Sequence, residues 1–89
     1  MHNHIIVYRA IIKAIDDCKA TPFSLQDIVD VSDVSKSSVL RLLKSLVEMR
    51  LVTHGLKGYK GKRYKVTTRW IGVAEVIEAY QYAKVIKLV

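Results

Sequence analysis

Cysteine, proline and long apolar runs are scarce in this 89-residue sequence, and each scarcity excludes a class of protein. The one cysteine cannot form an internal disulfide, which agrees with a reducing compartment. With one proline and 51% apolar residues, the chain has the composition of a globular protein rather than a disordered one. It contains no uncharged apolar run of membrane-spanning length and no signal-peptide pattern, so we expect a cytoplasmic, nucleoid-associated protein without a membrane partner.

Acidic residues are nearly absent between Lys36 and Arg69. This stretch contains ten lysines and arginines against one acid, Glu48, which gives it a net charge of +9. The other 55 residues carry five bases and seven acids, a net charge of −2. The positive charge is therefore concentrated in one part of the chain, which predicts a one-sided patch that binds a phosphate backbone.

Residue sets for catalysis are also lacking. The sequence shows no Ser/His/Asp set, no close carboxylate pair and no phosphate-binding glycine motif followed by lysine. His2 and His4 have no further ligand near them, so no metal site is predicted. We therefore expect that the protein is not an enzyme and that it binds no cofactor. Cys18 is interpreted as a small core or interface residue, because no cluster of cations lies beside it to lower its pKa.

Apolar residues at helical spacing predict a first helix over about residues 4–18. Pro22 then interrupts the helical pattern, because proline lacks an N–H. Ser24 and Asp27 form the pattern of a capping box, which predicts a second helix over about residues 25–31.

A third helix is predicted over about residues 36–49, with Ser35 as its N-cap. Its buried line is expected to contain Val39, Leu43 and Leu46. The polar residues then lie together on the opposite face, because residues three and four apart are neighbours on a helix.

After the third helix the apolar spacing changes to that of β-strands. Two alternating segments flank residues 55–61, which include three glycines, and this predicts a β-hairpin over about residues 51–67. Thr67 or Thr68 is expected to cap a C-terminal helix over about residues 69–87. The apolar residues of that helix cover more than one face, so we predict a homodimer formed through the N- and C-terminal helices.

This order of elements is that of a winged helix-turn-helix. The predicted fold is α+β and mostly α, with a three-helix core, a two-stranded hairpin as the wing and a C-terminal helix, all in one domain over residues 1–89. The segment SKSSVLRLLKSLVEMRLV, from Ser35 to Val52, resembles the DNA-binding domains of IclR-type and MarR-type bacterial regulators. Those domains show a serine-rich helix start, an Arg-Leu-Leu centre and a Leu-Val step into the first wing strand. The segment TTRWIGVAEVI, residues 67–77, is similar to the start of a MarR-type dimerisation helix.

The sequence departs from these families at two positions. The turn between the second and third helices usually contains glycine in a left-handed conformation, and Asp33 occupies it here. Aspartate tolerates that conformation better than most residues, so we expect the turn to survive. Glycine also commonly precedes the first wing strand, where this chain has Arg50, so the sequence places the exit of the third helix to within a residue or two. The resemblance implies an effector-binding domain in full-length IclR-type proteins, and from the length of this sequence we expect no small-molecule effector domain.

The resemblance implies that the third helix and the wing contact double-stranded DNA. A helix in the major groove reads bases with its N-terminal half. Arg41 is the strongest candidate, because one guanidinium can bond both acceptors of guanine. The predicted base-reading residues are Lys36, Ser37, Leu40 and Arg41. The predicted backbone contacts are Ser35, Ser38 and Lys44 on the helix and Lys57, Lys60, Lys62 and Arg63 on the wing.

The sequence therefore predicts a sequence-specific, dimeric transcriptional regulator that binds double-stranded DNA. Two alternatives stay open at this point. One is a non-regulatory accessory of phage or plasmid type that acts in replication, partition or DNA architecture. The other is a winged helix that binds RNA or protein.

Overall fold

The computed structural model of the chain describes the backbone of residues 2–58 and 61–79 and the side chains of residues 6–55 and 62–79. Three helices pack together, and an antiparallel hairpin of two strands lies beside the third helix. This arrangement confirms the predicted winged helix-turn-helix of mostly helical α+β class. The elements are α1 (His2–Cys18), α2 (Leu25–Ser32), α3 (Lys36–Glu48), β1 (Val52–Gly58) and β2 (Gly61–Val66), with a further helical segment, α4, described over 73–79.

The core draws apolar side chains from each of these elements. The predicted buried line of α3 is confirmed, since Val39, Leu43 and Leu46 are completely buried, and Leu42 joins them. Burial of one such side chain contributes about 1.5–3 kcal/mol relative to its exposure. This core therefore holds α3 in one orientation. The other fully buried side chains are Ile11, Ile12 and Ile15 of α1, Ile28 of α2, and Phe23, Val52 and Val76.

The start of α2 is held by the capping box that the sequence predicts. The backbone N–H of Asp27 donates to the hydroxyl of Ser24 over 3.1 Å, and the backbone N–H of Ser24 donates to Oδ2 of Asp27 over 2.9 Å. At the other end, Asp33 is left-handed with φ 57°, and its N–H donates to the carbonyl of Val29. Aspartate therefore occupies the left-handed turn position where the two families usually have glycine.

The exit of α3 is a Schellman motif built around an arginine. Arg50 has φ 63°, and its N–H donates to the carbonyl of Val47 over 3.0 Å. The N–H of Leu51 donates to the carbonyl of Leu46 over 3.0 Å, and both of these leucines are buried. These two hydrogen bonds are the defining features of that motif. Arg50 thus takes the left-handed conformation in which glycine is usual.

The hairpin has an irregular register and a third pairing partner. Its strands pair from Val52 opposite Val66, and Gly55 with φ 91° is the extra residue of a β-bulge. On its other side, β2 pairs with Phe23, because Phe23 and Tyr64 exchange two backbone hydrogen bonds of 2.8 and 2.9 Å. Their rings stack with centroids 6.1 Å apart. The segment between α1 and α2 is therefore tied to the wing.

The predicted start of the C-terminal helix at residue 69 is wrong, because helical structure begins at residue 73. The N–H of Trp70 donates to the carbonyl of Thr67 in a turn, and the hydroxyl of Thr67 donates to the carbonyl of Arg50 over 2.6 Å. The Trp70 side chain is buried. The first helical hydrogen bond runs from the N–H of Val76 to the carbonyl of Gly72. The predicted end of this helix lies outside the described residues.

Candidate nucleic-acid interface

Three serines lie together at the start of α3. The hydroxyl of Ser35 accepts a hydrogen bond from the backbone N–H of Ser38 over 3.4 Å and lies 3.0 Å from the Ser38 hydroxyl. The Ser37 hydroxyl is 3.5 Å from that of Ser35. Ser35 is thus the N-cap that the sequence predicts. The first backbone N–H groups of a helix carry partial positive charge, so this end of α3 is suited to a negative group.

The exposed face of α3 carries cations along most of its length. Lys36, Arg41 and Lys44 are exposed, and Leu40 between them is half-buried. The opposite face is the buried line that packs into the core. Four predicted contact residues therefore share one solvent-facing surface, with Glu48 as the acid at its far end.

The wing cations are placed differently from one another. Lys62 is exposed on β2. Arg63 is half-buried, and its guanidinium Nη1 lies 3.6 Å from Oδ2 of Asp27, the capping residue of α2. The side chain of Lys57 and the whole of Lys60 lie outside the described residues. Among the described wing cations, Arg63 therefore forms an ion pair with an acid, which partly neutralises its charge.

A groove of about 280 Å³ separates α3 from the hairpin. Lys44 of α3 and Lys62 of β2 both line it, so the helix and the wing each place a lysine beside the same space. Its other lining residues include His54 of β1, whose place at a strand end favours a backbone or phosphate contact over a catalytic role. His54 lies directly opposite Tyr64 in the hairpin, with the two ring centroids 6.5 Å apart. The pairing register places His54 opposite Tyr64, and strand register is not readable from apolar spacing. The remaining lining residues are Leu40, Val47, Glu48 and Tyr64.

Cys18 is half-buried at the end of α1. Burial and the nearby charges of Asp27 and Asp17 raise the pKa of its thiol. A raised thiol pKa keeps the sulfur protonated and poorly nucleophilic at neutral pH. Cys18 therefore fits a packing role better than a redox role.

The described residues contain neither a metal-binding cluster nor a membrane-spanning helix. Among them, no group of three or more histidine, cysteine and acidic side chains is placed to hold a metal ion. No helix within residues 2–58 and 61–79 has the length and apolar character needed to cross a membrane.

Comparison with known proteins agrees with this geometry. The model of the IclR helix-turn-helix domain matches residues 10–55, which run from α1 through α3 into β1. The chain belongs to the IclR helix-turn-helix family. As a member of that family it is a DNA-binding domain of a transcriptional regulator, which confirms the function that the resemblance implied. None of the curated proteins matches the sequence.

One similar solved structure is that of BpsR from Bordetella bronchiseptica. The DNA binding of BpsR is regulated by 6-hydroxynicotinic acid. The two proteins are 14% identical, with a TM-score of 0.59 over 92% of the present IclR-family chain and 72% of the BpsR chain. At this identity the likeness shows that the two proteins share a fold. Neither comparison favours the accessory, RNA-binding or protein-binding alternatives.

Proposed function

We propose that this domain binds double-stranded DNA sequence-specifically, with α3 in the major groove and the wing on the backbone and minor groove. The observation that supports this most directly is that Lys44 and Lys62, which come from two different elements, line one groove. A curved polyanion such as a duplex can contact both elements only if their cations face the same way.

Arg41 is proposed as the principal base-reading residue, together with Lys36, Ser37 and Leu40. Arg41 is exposed on the face of α3 opposite the buried line, so its guanidinium can reach base edges. A bidentate contact with guanine contributes about 1–3 kcal/mol of discrimination between bases. The half-buried Leu40 offers an apolar surface to a thymine methyl group.

The proposed backbone contacts differ in strength. Ser35 and Ser38 lie at the N-terminus of α3, where hydroxyl and N–H groups can donate to a phosphate. Lys44 and Lys62 contribute full charges. Arg63 is expected to contribute less, because it lies near Asp27. Lys57 and Lys60 remain predicted contacts of the wing.

A homodimer formed through the N- and C-terminal helices is also proposed. Ile6 of α1 and Ile71 before α4 are 66% and 74% exposed, which leaves apolar surface near both of the helices concerned. Two half-sites would then lie about 10 bp apart, or a multiple of that, on one face of the duplex. We further propose that the protein is cytoplasmic and associated with the nucleoid, and that it catalyses no reaction.

Selection of bound oligonucleotides from a random duplex pool tests the proposal. The selected sequences are expected to share one motif, repeated with twofold symmetry if the dimer forms. Uniform recovery of all sequences would favour an architectural accessory instead. Preferential binding of structured RNA in competition would favour the RNA-binding alternative.

Arg41→Ala then tests the reading face. It should abolish preference for the selected site while leaving weak general binding that decreases steeply with salt. Arg9→Ala is a matched control, because Arg9 is an exposed arginine on α1. Normal site preference in Arg41→Ala would show that another surface reads the DNA.

A further inference from the structure

The groove between α3 and the hairpin combines an apolar base with a charged rim. Leu40 and Val47 of α3 and Tyr64 of β2 supply apolar surface, and Tyr64 is held in place by its stacking on Phe23. Lys44, His54 and Lys62 supply three groups that can donate hydrogen bonds to an anion. Small-molecule sites usually have volumes of about 300–1,000 Å³, and this groove is near 280 Å³.

The hairpin geometry explains why these side chains line one groove. Side chains two residues apart on a strand share a face, so Lys62 lies on the same face of β2 as Tyr64. His54 is directly opposite Tyr64 on β1. Arg63 and Lys65 occupy the other face of β2, which leaves Lys62 as the cation that β2 presents to the groove.

We propose that this groove holds one sugar-phosphate unit of the DNA backbone, with Lys44 and Lys62 on the same phosphate and His54 as a third, protonation-dependent contact. The inference rests on the proposed DNA-binding function and adds a shared site to it. Two cations from separate elements on one phosphate would fix the angle between helix and wing on the duplex. The apolar base would contact the sugar.

A contact from His54 would make the site sensitive to pH. A phosphate within hydrogen-bonding distance of a histidine side chain favours its charged form. Proton binding and DNA binding then reinforce each other, so affinity is higher at low pH and is lost as pH rises. The other charged or titratable groups that line the groove are Lys44 and Glu48 from α3 and Lys62 and Tyr64 from the hairpin.

The salt dependence of DNA binding tests whether one phosphate is shared. Each phosphate neutralised contributes about 0.9 to the slope of log K against log salt concentration. Lys44→Met and Lys62→Met should each change the slope little, because the remaining lysine still neutralises the phosphate. The double variant should lower the slope by about 0.9. Losses of about 0.9 for each single variant and 1.8 for the double variant would overturn the shared site.

The pH dependence of binding tests His54. Between pH 6 and 8, affinity of the unsubstituted chain should fall about three- to tenfold, as expected for uptake of up to one proton. His54→Gln should remove most of this change, and Glu48→Gln should retain it. An unchanged pH dependence in His54→Gln would exclude the proposed contact. Loss of the dependence in Glu48→Gln would assign it to an interaction with that acid instead.

Two controls separate this inference from other outcomes. Lys65→Met removes an exposed lysine from the opposite face of the same strand, and it should reproduce neither the slope effect nor the pH effect. Lys44, His54 and Lys62 are all exposed, so the variants should fold, and thermal unfolding checks this. If the chain fails to bind any duplex, the proposed function fails. If Arg41-dependent binding persists while the lysine effects are additive, only the shared site fails.

Discussion

The indole Nε1 of Trp70 donates a hydrogen bond of 2.8 Å to Oδ1 of Asp16, 54 residues earlier in the chain. The same carboxylate oxygen accepts a hydrogen bond of 3.0 Å from Lys19. Asp16 therefore joins the end of α1 to the segment that enters α4. This link connects one predicted dimerisation helix to the start of the other.

Replacing Trp70 should lower the stability of the folded protein and change the pKa of Asp16. The hydrogen bond from Trp70, followed by that from Lys19, lowers the pKa of Asp16 below its ordinary 3.8. A carboxyl group whose pKa is lowered by folding stabilises the folded state above its unfolded pKa and loses that effect as pH falls. Trp70→Phe should therefore raise the pKa of Asp16. The lost hydrogen bond should cost about 1–2 kcal/mol near neutral pH, a cost that shrinks below pH 3.8.

NMR titration of the Asp16 carboxyl and urea unfolding at several pH values would measure these effects. Lys19→Gln is the matched variant and should also raise the pKa of Asp16, because Lys19 lowers it through a hydrogen bond and through its charge. An Asp16 pKa that does not move in Trp70→Phe would contradict the importance of this contact.

Arg50 is expected to be suboptimal for stability. Its φ of 63° brings steric strain from the β-carbon, and glycine has no β-carbon and adopts this conformation without that strain. Arg50→Gly should therefore raise the free energy of unfolding by about 0.5–1 kcal/mol, after the greater unfolded-state entropy of glycine is included. Urea denaturation measures the change. Arg50→Ala retains the β-carbon and should give no such gain, and destabilisation by glycine would contradict the prediction.

Leu43 and Leu40 should separate stability from DNA binding. Leu43 is completely buried, so Leu43→Ala should cost about 2–5 kcal/mol of unfolding free energy. Leu40 is half-buried on the outward face, so Leu40→Ala should cost less stability and weaken binding to the selected DNA site. Thermal unfolding and fluorescence anisotropy with labelled duplex would measure the two effects. Equal destabilisation by both substitutions would contradict the assigned orientation of α3.

Features that depend on neighbouring residues were predictable from the sequence. The capping box of Ser24 and Asp27 involves side chains three residues apart. The buried line of α3 follows from the helical repeat. The left-handed Asp33 was implied by the resemblance, since the related families usually have glycine in this turn and aspartate tolerates that conformation. The start of α4 was not predictable in the same way. Trp70 has the spacing of a helical residue, but its side chain packs in the core and bonds to a distant carboxylate.

The candidate site divides along the same line. By itself, the sequence determined that the cations are concentrated in one stretch and that α3 has one apolar and one basic face, because charge content and helical periodicity are local properties. Only the tertiary structure decided that Arg63 lies beside Asp27, that Phe23 pairs with β2, and that His54 joins Lys44 and Lys62 in one groove. Those relationships depend on strand register, a β-bulge and the packing of elements that are distant in the chain, which residue spacing alone does not encode.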